Sequence, residues 1–240
     1  MSSASSESDP ILVSYHDSIV RLSNLKTLDD SNWLDDNIIT FAFEYLQYES
    51  KYIHNSDNLL FAFVTPPVVQ LIKMSDDLFA EQLLQSIDFL QKKLLILPIN
   101  NNTQVAVFGG SHWSLLILSI QEKILYHFDS MSLSNDRTAK EMHKKFEAFF
   151  HDNINLINTR CPQQKNAFDC GLYVIVIVEE FKRFIYENCI LKKFDDQKLD
   201  KDLFEKFINE ISQCMTPESI NQRRKQLKAI LESMRTDRKK

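Results

Sequence analysis

The chain is poor in glycine and proline, with 3 Gly and 6 Pro among 240 residues. It also lacks long apolar runs: the longest, Leu172 to Val178, has seven residues, whereas a helix that crosses a bilayer needs about 20. Residues 1–9 contain no basic cluster followed by an apolar core, so no signal peptide is predicted. We therefore expect a protein of the cytoplasm, the nucleus or both, without a membrane partner.

Cysteines are few and show no metal-binding or disulfide pattern. The four cysteines, at positions 161, 170, 189 and 214, form no CxxC pair, and no histidine stands at zinc-finger spacing from them. The sequence predicts neither a metal site nor a disulfide framework, which fits a reducing compartment.

Charge is distributed unevenly along the chain. The formal net charge is −5, but residues 221–240 hold eight basic and two acidic side chains, which leaves −11 on the rest. An acidic body disfavours nucleic acid as a partner and favours a basic protein surface. The basic end indicates either a localisation element or the solvated end of a helix.

Length and composition indicate one globular domain, and we expect the protein to act as a monomer. The chain is 44% hydrophobic and 25% charged, and 240 residues can bury a large core without disulfides. We expect a disordered tail over residues 1–10, a single domain over 11–230 and a basic tail over 231–240.

Hydrophobic patterns predict helices near both ends of the chain and strands in its middle. The predicted helices are Trp33–Tyr48, a run from Pro66 to Ile72, Thr138–Phe150, Asp169–Tyr186, and two helices through Leu199–Ile211 and Ile220–Ile230. A further helix is predicted to be capped by Asp76 or Asp77, with Phe79, Leu83, Ile87 and Leu90 on its apolar face. The predicted strands are Leu94–Ile99, Trp113–Ile120, Ile124–Phe128 and Asn155–Asn158. This order is typical of the α+β class. Residues 172–178 are apolar on every side, which indicates a buried helix, although their β-branched members also permit a strand.

Cys170 stands at the predicted start of that buried helix, in Phe168-Asp169-Cys170-Gly171. A free cysteine is most often a small core residue. At a helix N-terminus, however, the first-turn N–H groups and the positive end of the helix dipole favour the thiolate. Gly171 would let a substrate backbone approach closely. Cys170 is therefore a candidate nucleophile.

His112 and Asp129 stand at the two ends of a predicted hairpin. His112 opens one strand, and Asp129 ends the next, seventeen positions later. Pairing of the strands would let Asp129 accept a hydrogen bond from one imidazole nitrogen and leave the other for a thiol. Each residue alone also has a structural interpretation, as a buried histidine and as a turn-forming aspartate. The three glycines of the chain, Gly109, Gly110 and Gly171, all flank these candidates, which a structural interpretation does not predict.

Gln164 lies six residues before Cys170, in a polar segment typical of a loop. Acyl transfer through a tetrahedral intermediate needs hydrogen-bond donors aimed at the developing oxyanion. The side-chain amide of Gln164 and the backbone N–H of Cys170 would supply two such donors.

Several segments in chain order carry a family resemblance: His112-Trp113-Ser114, Phe128-Asp129-Ser130 and Gln164-x-Asn166-x-Phe168-Asp169-Cys170-Gly171. They resemble the catalytic set of the sentrin/SUMO-specific and Nedd-specific cysteine proteases. Ser14-Tyr15-x-Asp17-Ser18 and the segment from Trp33 to Tyr45 resemble the deneddylase branch in particular. The resemblance extends from about Ile11 to about Ala229.

The resemblance implies a papain-like (adenain-type) α+β fold, in which the cysteine heads a central helix packed on a mixed β-sheet. It also implies that Trp33 and Trp113 cover a narrow channel, with Gly110 beside them, for the Gly-Gly tail of a ubiquitin-like modifier. Glycine is slim enough for such a channel, and flat indoles bind a backbone without selecting side chains. An arginine in a Nedd-type tail would meet Asp35 or Asp36, next to Trp33.

The family often has Gly and Tyr where this chain has Ala167 and Phe168. Both replacements are similar in shape, and they bear on the geometry of the Gln164 loop rather than on the chemistry.

The function implied is a thiol isopeptidase that cleaves after the C-terminal Gly-Gly of a ubiquitin-like modifier and needs no metal or organic cofactor. The favoured modifier is the Nedd/Rub type, with conjugates such as cullins as partners, and SUMO is the alternative. Two further classes stay open. An acetyltransferase with the same triad is disfavoured by the acidic body, and a modifier-binding module without catalysis is disfavoured by the presence of all four candidate residues.

Overall fold

The computed structural model describes residues 9–49, 60–87, 89–104, 109–190 and 199–235. Residues 1–8 and 236–240, which belong to the two predicted tails, lie outside these ranges. Within them, the chain forms a two-stranded hairpin and a five-stranded sheet with helices on both faces.

The five-stranded sheet is mixed, as expected. Its spatial order is β3-β4-β5-β6-β7; the three central strands pair antiparallel, and the edge strands β3 and β7 pair in parallel. The separate hairpin consists of β1 and β2. The strands are β1 (Ile11–Tyr15), β2 (Ser18–Arg21), β3 (Phe61–Phe63), β4 (Leu94–Asn100), β5 (Trp113–Ser119), β6 (Ile124–Phe128) and β7 (Asn155–Asn158).

Eight α-helices lie within the described ranges. They are α1 (Leu22–Lys26), α2 (Asp36–Tyr48), α3 (Pro66–Met74), α4 (Asp77–Ser86), α5 (Asp136–Phe150), α6 (Cys170–Ile185), α7 (Lys201–Cys214) and α8 (Pro217–Met234). A turn of 3₁₀-helix lies at Phe89–Gln91, and a turn of π-helix lies at Tyr186–Ile190. No helix in the described part of the chain combines the length and apolar character that crossing a membrane requires.

The sheet separates two hydrophobic cores. Along β5, Leu115 and Ile117 point toward one core, which contains the β1–β2 hairpin and helices α2, α6, α7 and α8. Leu116 and Leu118 point toward the other core, which contains α3, α4 and α5. Because successive side chains of a strand alternate between its faces, a strand buried on both sides is apolar at nearly every position.

Helix α6 is the central helix of the larger core. All residues from Leu172 to Val178 are buried, and α6 packs directly on β5. Burial on all sides explains why this segment shows no polar face, and the hydrogen bonding identifies it as a helix rather than a strand. The expected architecture, a helix headed by Cys170 on a mixed sheet, is confirmed.

Two predicted helices differ in detail from the observed ones. Helix α2 begins at Asp36 rather than Trp33, because the Asp35 carboxylate accepts a hydrogen bond from the Ile38 N–H and caps the helix. Helix α4 is capped by Asp76, but the residues that it buries are Ala80 and Leu84. The predicted apolar face was wrong in part: Phe79 is 47% exposed and Leu90, beyond the helix, is 55% exposed.

The C-terminal helix also extends past its predicted boundary. Helix α8 continues to Met234, and Leu231 is fully buried, so residues 231–234 belong to the folded domain rather than to a tail. The short strands β1, β2 and β3 were not predicted from the sequence.

Candidate active site

Cys170 is the first residue of α6, and its side chain is buried. The preceding residue, Asp169, is the N-cap by position, but its side chain does not cap the helix. The first-turn N–H groups and the helix dipole therefore place partial positive charge beside the sulfur, where a thiolate is stabilised. The position of this cysteine agrees with the sequence prediction.

His112 and Asp129 meet at one end of the β5–β6 hairpin. The two strands pair with Leu115 opposite Phe128, so the residue just before β5 lies near the residue just after β6. The Nε2–H of His112 donates to the Asp129 Oδ1 over 2.6 Å, and both side chains are buried. The other ring nitrogen, Nδ1, is buried without another hydrogen bond from the described part of the chain. The Cys170 thiol interacts with the same ring, so Nδ1 is the nitrogen left for the sulfur.

The Asp129 carboxylate is fixed by three donors. Besides the His112 ring, the backbone N–H of Met131 donates to Oδ1 and the backbone N–H of Asn135 donates to Oδ2, each over 2.9 Å. Burial alone would raise the pKa of Asp129, but these hydrogen bonds outweigh it and hold the pKa below its usual range. The carboxylate is therefore ionised and held in one orientation.

The protonated form of His112 is favoured by its neighbours. Burial opposes a charge on the ring, but the hydrogen bond and the negative charge of Asp129, together with Cys170, raise the pKa of His112 to about 9. At neutral pH the imidazole is thus positively charged and lies beside the sulfur. This arrangement supports a thiolate–imidazolium pair.

A cleft of about 660 Å³ opens over Cys170. All five residues predicted to bind substrate line it: Trp33, Asp35, Asp36, Gly110 and Trp113. Trp33 is 50% exposed, whereas Trp113 is partly buried and donates from its indole Nε1 to the Leu34 carbonyl over 3.1 Å. This bond joins the segment that carries Trp33 to the side chain of Trp113.

Two glycines allow close approaches around this cleft. Gly110 has a φ of +83°, and a Cβ there would lie 1.7 Å from the Asn100 Oδ1, so no other residue fits without rearrangement. At Gly171 a Cβ would lie 3.0 Å from the Leu34 Cβ, so its absence lets Leu34 pack against the start of α6.

Gln164 is held in its loop by Ser130, the residue after Asp129. Its backbone N–H donates to the Ser130 carbonyl over 2.8 Å, and its Oε1 accepts from the Ser130 hydroxyl over 2.7 Å. Its Nε2 donates to the Asn166 carbonyl over 2.7 Å. Since a side-chain amide carries two N–H groups, one donor of Gln164 has no partner among the described residues and can bind a ligand.

Residues 32–215 match the Ulp1 protease family, C-terminal catalytic domain. The chain belongs to this family. It is therefore a cysteine protease, and the family resemblance seen in its motifs is confirmed.

Individual relatives of this Ulp1-family chain are similar over most of its length. It is 39% identical over 175 residues to sentrin-specific protease 8 of Homo sapiens, covering 71% of this chain and 81% of that protein. It is 33% identical over 174 residues to NEDD8-specific protease 1 of Arabidopsis thaliana, covering 71% of this chain and 74% of that protein.

A solved structure shares the fold. It is the C-terminal Ulp1 protease domain in complex with Smt3, the yeast ortholog of SUMO, which is 18% identical, covers 95% of this chain and 90% of its own, and gives a TM-score of 0.63. That complex contains a modifier bound to a Ulp1-family protease, and the likeness confirms the expected fold of this chain.

Asn135 was not singled out by the sequence. It is fully buried at the N-cap position of α5, and its backbone N–H donates to Asp129. Its side-chain Nδ2 donates to the His112 carbonyl over 3.2 Å and to the Ser114 hydroxyl over 3.0 Å. One residue therefore fixes the positions of both members of the His112–Asp129 pair. Its place just before a predicted helix was the one available signal, and that signal indicates a cap rather than a site.

Helix α3 forms a wall of the cleft that the sequence also did not reveal. Lys73 of this helix is buried and donates to the Asn100 and Asn102 carbonyls, each over 2.6 Å. Burial lowers the pKa of Lys73 to about 8. Gln70 donates to the Asn102 carbonyl over 3.1 Å. These bonds hold the segment that surrounds Gly110.

The two acidic residues beside Trp33 differ in what they can offer a ligand. The Asp35 Oδ1 accepts from the Ile38 N–H over 3.0 Å, and its Oδ2 accepts from the Asn24 amide over 2.7 Å. Its carboxylate is thus already committed to capping α2. The Asp36 carboxylate makes no hydrogen bond or ion pair within the described part of the chain, so Asp36 is the better of the two candidates for a cationic tail.

Proposed function

We propose that this protein cleaves after the C-terminal Gly-Gly of a Nedd/Rub-type ubiquitin-like modifier, both in the precursor and in conjugates to lysine. The proposal rests on one observation: the cleft over Cys170 is bounded by two indoles and by Gly110, whose positive φ favours glycine. Such a cleft suits a slim, extended backbone.

In this proposal the residues share the chemistry of acyl transfer. His112 takes the thiol proton, which gives the thiolate–imidazolium pair, and the Cys170 sulfur then attacks the carbonyl of the last glycine. The backbone N–H of Cys170 and the second N–H of Gln164 donate to the oxyanion. His112 then gives its proton to the leaving amine as the C–N bond breaks, which leaves a thioester on Cys170.

Hydrolysis of the thioester completes the cycle. A water molecule gives a proton to His112 and attacks the thioester carbonyl. The C–S bond breaks, the proton returns to the sulfur, and the modifier leaves with a free glycine carboxyl group. Asp129 keeps the imidazole oriented throughout both steps.

The choice of modifier is supported by relatives and by charge. Two relatives with more than 30% identity are named sentrin-specific protease 8 and NEDD8-specific protease 1. A Nedd-type tail, Leu-Arg-Gly-Gly, carries an arginine that SUMO tails lack, and the Asp36 carboxylate lies in the cleft without another partner among the described residues. SUMO is the alternative modifier.

We further expect the enzyme to act as a monomer in the cytoplasm, the nucleus or both, with conjugates such as neddylated cullins as substrates. The acidic body of the chain favours basic surfaces on these partners.

Cleavage of modifier fusions tests the proposal. Nedd-type, ubiquitin and SUMO precursors, each with a C-terminal extension, are incubated with the wild-type protein and with Cys170→Ala. We expect the Nedd-type precursor to be cut after Gly-Gly by the wild type and bound, but not cut, by Cys170→Ala. Binding without cleavage by the wild type would indicate a modifier-binding module, and acetylation of a substrate lysine from acetyl-CoA without cleavage would indicate an acetyltransferase.

A further inference from the structure

Arg224 is a buried cation that lies outside the proposed chemistry. It belongs to α8 and its side chain is only 2% exposed. Its Nη1 donates to the Thr27 and Asp29 carbonyls over 3.0 and 3.2 Å. Its Nη2 donates to the Asn32 carbonyl over 3.0 Å and to the Asp169 Oδ1 over 2.9 Å.

The three carbonyls belong to one segment, residues 27–34, which we call the tryptophan loop because it carries Trp33. Leu34, at the end of this loop, accepts the indole N–H of Trp113 and packs against Gly171. A second residue of α8, Lys228, forms an ion pair with Asp29. Helix α8 thus holds the loop that forms the indole side of the cleft.

On the other side, Arg224 is bonded to the segment that leads to the nucleophile. Asp169, directly before Cys170, accepts from Arg224 with one oxygen and from the Asn166 amide with the other, over 2.7 Å. The Asn166 carbonyl in turn accepts from the Gln164 side chain. The Arg224 guanidinium also lies 5.9 Å from the centre of the Phe168 ring. We call residues 164–169 the glutamine loop.

One guanidinium therefore joins the tryptophan loop, which lines the cleft, to the glutamine loop, which leads to Cys170. A planar guanidinium has five donors in a fixed geometry, so the groups that it binds are held in a defined relation to one another. A buried ion pair is weak support for stability, because apolar residues of the same volume often stabilise a core as well or better. Its geometry, rather than its contribution to stability, is the distinguishing property of this contact.

We propose that Arg224 is a positioning residue for catalysis, which sets the tryptophan loop and the glutamine loop at the spacing that a Gly-Gly tail requires. The inference rests on the proposed function, since it assigns the two loops to substrate binding and to oxyanion stabilisation. Arg224 acts through Asp169 on the glutamine loop and through backbone carbonyls on the tryptophan loop.

Two substitutions separate these two actions. Asp169→Asn keeps the carbonyl contacts of Arg224 but places an amide N–H group against one of two donors, either Arg224 or Asn166. We expect kcat to fall by about tenfold or more, because a small misplacement of catalytic groups has effects of this size, while KM stays within about twofold. Arg224→Met releases both loops, so kcat falls and KM rises. The double variant loses no more kcat than Arg224→Met alone.

Rates are expressed per active site, titrated with an irreversible probe made from a modifier tail. A control, Ile230→Ala, weakens the packing of the same helix but removes no side-chain hydrogen bond to either loop, and we expect it to keep wild-type kcat and KM per titrated site. Normal kcat and KM per site in Arg224→Met would overturn the proposal and leave Arg224 a purely structural residue. If Arg224→Met does not fold, Asp169→Asn provides the test, and a wild-type kcat per titrated site in that variant would overturn the proposal.

Hydrogen exchange provides a readout that does not depend on the substrate. We expect Asp169→Asn to speed exchange in residues 164–170 alone, and Arg224→Met to speed it in residues 27–34 as well. Unchanged exchange in both loops would contradict the proposal. Failure of the proposed function gives a different result from failure of the Arg224 proposal. In that case the wild type itself would cut no Gly-Gly tail, while the exchange pattern of the variants would be as expected.

Discussion

At the scale of single residues, the position of one proton is the central question. The His112 ring lies between an ionised carboxylate and a cysteine, and its pKa is raised to about 9. The protonated ring can give its proton to a leaving amine, whereas the neutral ring cannot. Because the folded pKa exceeds the value of about 6.5 for an unperturbed histidine, the stabilisation from this pair is complete below pH 6.5 and disappears as the pH rises through 9.

The first prediction concerns the pH profile and its dependence on Asp129. The rate of cleavage in the wild type should fall on the alkaline side with an apparent pKa near 9. Asp129→Asn removes the charge that raises the pKa of His112, so this limb should move to lower pH. It should also lower the maximal rate on the order of a thousandfold, since an amide can favour the wrong tautomer of the ring. A profile unchanged in height and shape would remove Asp129 from the mechanism.

The pairing of His112 with Asp129 and the location of Cys170 could be predicted, because all three residues stand at the ends of strongly patterned elements. Asn135 could not, because its role depends on a carbonyl and a hydroxyl at the start of β5 and on a carboxylate after β6, two segments that only the fold brings to it. No local sequence pattern indicates these contacts of Asn135.

At the scale of elements, the start of α2 combines a structural task with a proposed binding task in adjacent residues. Asp35 caps the helix, and Asp36, in its first turn, faces the cleft. The sequence could not separate the two roles, because either aspartate can serve as an N-cap and the observed start of the helix depends on where the chain leaves Trp33 and Leu34.

These neighbours provide a matched pair of substitutions. Asp36→Ala should raise KM for a Nedd-type tail several-fold and leave the free energy of unfolding within about 0.5 kcal/mol of the wild type. Asp35→Ala should lower the free energy of unfolding by about 1 kcal/mol, because it removes the cap. Denaturant unfolding and steady-state kinetics on both variants check this. If KM rose with Asp35→Ala and not with Asp36→Ala, our assignment of the two carboxylates would be reversed.

At the scale of the whole molecule, the domain extends beyond the matched family region. That region ends at residue 215, yet α8 packs on α6 and on β1 and buries Ile220, Leu227 and Leu231 completely. The α+β class could be predicted from patterning, but patterning left a strand possible at residues 172–178, and the central helix on a mixed sheet was implied by the family resemblance. The division of the helices between two cores could not be predicted, because each amphipathic helix has a buried face but no sign of which side of the sheet it covers.

Truncation tests the contribution of α8. A chain that ends at residue 215 loses three fully buried aliphatic side chains, each worth about 1.5–3 kcal/mol, and the total is comparable to the whole stability of a typical domain. We expect this chain to be unfolded or insoluble by circular dichroism. A chain that ends at Arg235 keeps all of α8 and should unfold at the same temperature as the full-length protein. A stable, active protein without α8 would show that this helix is required neither for folding nor for activity.

The most direct test of the central claim is to map the site at which modifier-tail probes react. Nedd-type, ubiquitin and SUMO probes with a thiol-reactive C-terminus are incubated with the wild-type protein, and the modified residue is identified by peptide mass spectrometry. We predict a single adduct on Cys170, formed far faster with the Nedd-type probe than with the other two, and none in Cys170→Ala. An adduct on Cys161 or Cys214 in place of Cys170 would contradict the assignment of the nucleophile, and equal or faster labelling by the SUMO probe would contradict the Nedd-type specificity.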